Sequence, residues 1–179
     1  MRTPGGQLAG QGRVEWEPEL AIKLDARLDG LDPGYLLPDY PGAISGGLRA
    51  DLRQTDAGWV GDLALADLRG TLRGRAIAGQ ATLAWQGESG QLSAQARLGE
   101  SRISAEGRVG ATLALDLSLQ PLRLADLAEG AGGELQGSLR VSGPRVAPGL
   151  VADLQASKLR WGEVQLDAGT LRGELPADG

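Results

Sequence analysis

Side chains able to carry out covalent or acid–base chemistry are scarce in this chain, and their types settle which chemistries are open. The 179 residues contain no His, no Cys and no Phe. His-based triads, thiol nucleophiles, disulfides and the common His/Cys zinc and copper sites are therefore excluded. Carboxylates remain: Asp62 with Asp67, or Glu15 with Glu17 and Glu19, stand close enough in sequence to be imagined as acid and base. They fall on the polar side of strand-like alternation, where a carboxylate is solvated surface. Neither Lys23 nor Lys158 follows a Ser by three residues, so a Ser-x-x-Lys nucleophile is absent. Gly130-Ala131-Gly132-Gly133 lacks the Lys-Ser/Thr end of a phosphate-cradling loop, and Gly87-Glu88-Ser89-Gly90 is not a nucleophile elbow. The reading is non-enzymatic, with no catalytic residue, no metal and no cofactor.

Charge and termini narrow the partners. Eighteen basic residues against 23 acidic ones give a net charge of -5, the wrong sign for a phosphate-backbone binder, so nucleic acid is not expected. No window approaches 18 uninterrupted apolar residues and Met1–Gly6 has no apolar run, so the chain as given is expected to be soluble. The start and the Pro176–Gly179 end look arbitrary, as in one segment, 1–179, of a longer protein.

What remains is apolar chemistry, and the elements that present it are strands. Leu (31) and Ala (25) dominate the apolar residues and would suit helices, but Gly occurs 29 times. At about 1 kcal/mol per interior Gly relative to Ala, helices could not carry that load. Period two runs through the chain instead: Leu20, Ile22, Leu24, Ala26 and Leu28 alternate with Ala21, Lys23, Asp25, Arg27 and Asp29. The same pattern recurs over 44–53, 91–98, 102–109, 112–119, 135–141 and 164–168, in a series of eleven or twelve strand-like runs. Turn chemistry at Asp32-Pro33-Gly34, Asp39–Gly42, Glu88-Ser89-Gly90 and Gly143–Gly149 separates them. Short connections and one polar face predict an all-β antiparallel meander. One short helix is expected within 122–129, after Pro121 and before Gly130.

The glycines share the apolar face. In Leu68-Gly70-Leu72, Ile77-Gly79-Ala81-Leu83 and Leu135-Gly137-Leu139 each Gly stands two residues from a Leu or Ile, on the same side of the sheet. Two readings stay open: Gly permits bends or close sheet-to-sheet approach, or the thinly furnished face is a dry concavity that holds a guest. Such a guest would be apolar and chain-like. At about 0.8 kcal/mol per methylene, a sixteen-carbon tail would gain on the order of 10 kcal/mol.

The order of several phrases is itself informative. Leu28-Asp29-Gly30-Leu31-Asp32-Pro33, Tyr40-Pro41-Gly42-Ala43-Ile44-Ser45-Gly46, Leu68-Arg69-Gly70-Thr71-Leu72-Arg73-Gly74, Ser101–Gly107, Leu124-Ala125-Asp126-Leu127 and Leu139-Arg140-Val141-Ser142-Gly143 follow one another across roughly residues 8 to 175. This succession resembles the TamB family, inner-membrane subunits of the bacterial translocation and assembly module, related to AsmA-like and bridge-type lipid transfer proteins. The resemblance implies a segment of a long protein anchored in the inner membrane of a diderm bacterium and crossing the periplasm. Its sheet would curl into an open, U-shaped groove, a β-taco, with an apolar concave face. It further implies phospholipid acyl chains as guests, the outer-membrane barrel TamA as partner of the full-length protein, and outer-membrane protein strands as alternative clients received by β-augmentation.

On that reading the groove is lined by Leu24, Leu48, Leu68, Leu72, Ile77, Leu83, Leu92, Ile103, Leu115, Leu117, Leu139, Leu154 and Leu166. Gly46, Gly70, Gly79, Gly107 and Gly137 are its small positions. Trp16, Trp85 and Trp161 fall in phase with the apolar residues near strand ends and are the candidate rim.

Overall fold

A computed structural model describes residues 2–3, 6–35, 37–128, 130–162 and 164–177. Almost all of them are strand: β1 Arg2–Thr3, β2 Gly6–Glu15, β3 Ala21–Leu31, β4 Gly42–Thr55, β5 Gly58–Leu72, β6 Arg75–Gly87, β7 Ser89–Leu98, β8 Ser101–Gly110, β9 Thr112–Arg123, β10 Gly132–Pro144, β11 Gly149–Trp161 and β12 Val164–Leu175. A single helical turn, α1 (Leu124–Leu127), separates β9 from β10, and a 3-10 turn, Pro33–Tyr35, lies between β3 and β4. The fold is the all-β antiparallel meander that period two predicts, and the helix falls inside the expected window as four residues. Contacts divide the chain into two units, 1–96 and 97–179. Within each, strands follow chain order and pair antiparallel with their neighbours.

The faces alternate as the sequence does, but the dry face is only half dry. In β6 every second residue from Ile77 to Trp85 is half-buried and every intervening one is exposed. Fully buried apolar residues in the first unit are Ala26 and Ala50; in the second they are Leu119, Leu122, Ala131, Leu154 and Ala156. Among the described residues no second sheet and no helix longer than four residues is available to cover the leucines. The accessible area is 12047 Å². Two separate compact bodies that divided 18.5 kDa equally would together expose about 9,900 Å², less than this chain does.

Bulges keep the leucines in phase. Leu65 and Leu68 stand three apart, yet they pair with Ala81 and Gly79 on one face, because Asp67 (φ 51) is an extra residue in β5. Leu119 and Leu122 are likewise both buried, separated by the register shift that accommodates Gln120 and Pro121 in β9. Proline inside a strand is tolerated at such a bulge. Lys158 (φ 49) plays the same part in β11. Each bulge bends its strand and strengthens the local twist.

On the wet face, charges sit directly opposite one another: Asp25 and Arg49 (2.9 Å), Lys23 and Asp51 (3.4 Å), Asp116 and Arg140 (2.7 Å), Asp153 and Arg172 (3.4 Å). Each exposed pair is weak. Together they favour this register, because a slip of one residue would carry every charge onto the apolar face.

Two glycines show what the backbone demands. Gly70 (φ +146) and Gly137 (φ +134) lie mid-strand, and a Cβ on either would run into the carbonyl oxygen of the adjacent strand, Ala43 or Asp153. The close approach that Gly permits is thus between neighbouring strands. Gly137→Ala is expected to lose about 2 kcal/mol or more in urea unfolding, whereas Gly173→Ala, with nothing within 4 Å of its Cβ, changes stability by less than about 0.5 kcal/mol.

Candidate apolar binding face

Register assembles the candidate residues into transverse rows. In the first unit, Leu24 pairs with Ala50, Ala50 with Leu63 and Leu63 with Leu83; beside that row run Leu48, Leu65 and Ala81. Leu28 faces Gly46, and Leu68 faces Gly79; Ile44, Gly70 and Ile77 form a third row, and Leu72 pairs with Gly42. In the second unit Ile103, Leu119, Gly137, Leu154 and Leu171 share a row, as do Ala105, Leu117, Leu139 and Ala152, and Gly107 stands opposite Leu115. Opposed residues project on the same side of an antiparallel pair. Small positions are therefore interspersed among large ones across the strands as well as along them.

The candidate residues fall into distinct environments. Leu24, Leu48, Leu68, Leu72, Ile77, Leu83, Leu92, Ile103, Leu115, Leu117 and Leu139 are all half-buried. Leu154 is buried at 6%, with Leu119 also at 6%, and these two pack with Leu122 against Ile103, Leu135, Leu139 and Ala152. The two leucines flanking Gly137 thus belong to one packed cluster, so the space beside this glycine is furnished by its neighbours. Leu166, opposite Leu159 on β12, is exposed. Trp85 is half-buried with its indole N–H donated to the Gly87 carbonyl at 2.8 Å. Trp16 lies in the β2–β3 connection, 75% exposed. The Trp161 side chain lies outside the described residues.

Several contributors are not among those candidates. Leu63, Leu65, Leu119 and Leu122 complete the face; the Leu65/Leu68 and Leu119/Leu122 pairs, each separated by two residues where period two breaks, are the trace of bulges in the sequence. Gly90, placed in a turn by its sequence context, is buried in β7 beneath Leu83 and Trp85.

One polar node is also new. The buried Asp126 of α1 accepts hydrogen bonds through Oδ2 from the Ser101 hydroxyl at 2.7 Å and from the amides of Glu100 and Ser101 at 3.3 Å each. Ser101 Oγ in turn accepts from the Arg123 amide at 2.9 Å, and Arg123 pairs with Glu100 and Glu134. This network pins α1 to the start of β8 and the end of β9, beside the Leu119–Leu122 cluster. Among the described residues no group of three or more His, Cys, Asp or Glu could hold a metal, and no helix is long and apolar enough to cross a membrane.

The geometry defines a class: single-layer antiparallel sheets that offer an uncovered leucine face, with its small positions set between large ones. Comparison with known proteins gives the family. The TamB N-terminal domain model matches residues 1–178, and the chain belongs to that family. It is 27% identical over 168 residues to the translocation and assembly module subunit TamB of Haemophilus influenzae, an alignment covering 92% of this chain and 13% of that protein. No solved structure matches.

Asp126→Ala would strand the Ser101 hydroxyl and two buried or half-buried amides, at about 1–3 kcal/mol for each group left unpaired and inaccessible to water. The expected outcome is loss of about 2–4 kcal/mol in denaturant unfolding, with faster amide exchange at Glu100 and Ser101.

Proposed function

We propose that this chain is a periplasmic segment of a longer, inner-membrane-anchored TamB-type protein, and that its leucine face carries phospholipid acyl chains. The observation that supports this reading is the state of the dry face: each unit presents rows of mostly half-buried leucines, and among the described residues no second layer lies over them. A hydrocarbon chain laid along these rows would remove its own surface and that of the leucines from water. Each methylene contributes about 0.8 kcal/mol, and because successive rows are chemically alike, that gain stays nearly level as the chain slides from strand to strand. A level profile permits movement, whereas one deep pocket would trap the lipid. Few polar side chains interrupt the face, so a sugar or nucleotide would find little to orient it.

The name of the Haemophilus influenzae relative places that protein in a translocation and assembly module. By analogy the full-length protein to which this segment belongs would act in such a module, with the barrel TamA as its partner through portions other than this one. A second reading gives the same leucine face another guest: an unfolded outer-membrane protein strand, received by β-augmentation.

The guest distinguishes the two. Photo-crosslinkers placed in cells at Leu83, Leu115 and Leu139 are expected to capture phospholipid; capture of polypeptide alone would favour the second reading, and capture of neither would reject both. A charge on the same face, as in Leu139→Arg, is expected to cut lipid capture at Leu115 by roughly tenfold, while Arg140→Ala on the wet face leaves it unchanged.

A further inference from the structure

The connection between β3 and β4 presents exposed apolar side chains that the leucine face does not use. Tyr35 is 69% exposed, Leu37 59% and Tyr40 42%. These side chains project from a loop held by hydrogen bonds. Asp32 Oδ1 accepts from the amides of Gly34 at 2.9 Å and Gly42 at 2.8 Å. The Leu37 amide donates to the Pro33 carbonyl, and the Tyr40 amide to that of Leu37, both at 2.8 Å. The Arg73–Gly74 turn, which joins β5 to β6, lies at the same end: the Arg73 amide donates to the Pro41 carbonyl at 2.6 Å, and the Arg73 guanidinium stands 5.7 Å from the Tyr40 ring centre. Arg75 follows at the start of β6.

Two exposed phenol rings and an exposed leucine, with the Arg73 guanidinium beside them, are the side-chain set of a membrane–water interface. The rings lie at headgroup depth, the leucine reaches the acyl boundary and arginine meets phosphate. Asp39 is exposed, whereas the Asp32 carboxylate is turned into the loop's own amides. Three side chains cannot supply the roughly 800 Å² per partner that a stable protein interface buries. A bilayer, in contrast, can be held reversibly by a few inserted apolar groups together with cations. We propose that this loop docks the segment on the surface of a phospholipid bilayer. The inference stands apart from the acyl-chain reading, since it concerns a loop and not the sheet face.

The test is co-sedimentation of the 179-residue chain with sucrose-loaded vesicles of phosphatidylethanolamine and phosphatidylglycerol. The parent chain is expected to sediment with the vesicles, and Tyr35→Ser combined with Leu37→Ser to lower its partition coefficient about tenfold or more, with an unchanged circular dichroism spectrum. Val146→Ser, at a side chain 92% exposed in the β10–β11 turn, is expected to bind as the parent does. Failure of the parent to sediment, or equal binding by the double variant, would each overturn the proposal; the latter would assign the contact to another part of the chain.

Discussion

An amphipathic strand must cover its apolar side, and in most β proteins a second sheet or a helix does so. Here the described residues supply neither. Leucines that would be fully buried in a sandwich stop at half burial, and the first unit has alanines, Ala26 and Ala50, as its fully buried apolar residues. What holds the sheets together therefore lies largely within the layer: backbone ladders, opposed charges on the wet face, and leucines packed sideways against their in-register neighbours. The second unit adds the Leu119–Leu122–Leu154 cluster and the Asp126–Ser101 network at one end of it. The incomplete burial that costs stability also leaves a surface on which hydrocarbon can lie.

Glycine has two roles that are hard to separate in a linear sequence. At Gly70 and Gly137 the strands come so close that no side chain fits, and the backbone occupies a region L-residues rarely adopt. These same glycines sit between large residues of neighbouring strands, Ile44 and Ile77 in one case, Leu119 and Leu154 in the other. Around Gly137 the flanking leucines belong to a packed cluster. Around Gly70 both isoleucines remain half-buried, so the small positions do not all leave the same free space.

The strands, their antiparallel pairing and the single helical turn were legible because period two, turn residues and a Pro-to-Gly bracket are local signals. Most of the apolar face followed from them. Transverse rows were not legible: that Leu24, Ala50, Leu63 and Leu83 line up depends on hairpin register, which three separate connections and two register shifts determine. The Leu65-Ala66-Asp67-Leu68 and Leu119-Gln120-Pro121-Leu122 phrases break the period and so hid residues that the bulges restore to the face. Asp126 and Ser101 lie 25 positions apart, and nothing in either neighbourhood marks a buried pair. Trp16 is in phase with the apolar residues yet sits in a connection, where alternation has no meaning.

The central claim, that hydrocarbon occupies the leucine face, is tested most directly by nuclear magnetic resonance with a phospholipid carrying a nitroxide midway along its acyl chain. The account predicts strong broadening of the methyl signals of Leu48, Leu65, Leu117 and Leu139, with those of Val60 and Val151, both exposed, left sharp. Uniform broadening on both sides of the sheet, or none at the four leucines under conditions where the lipid is bound, would contradict it.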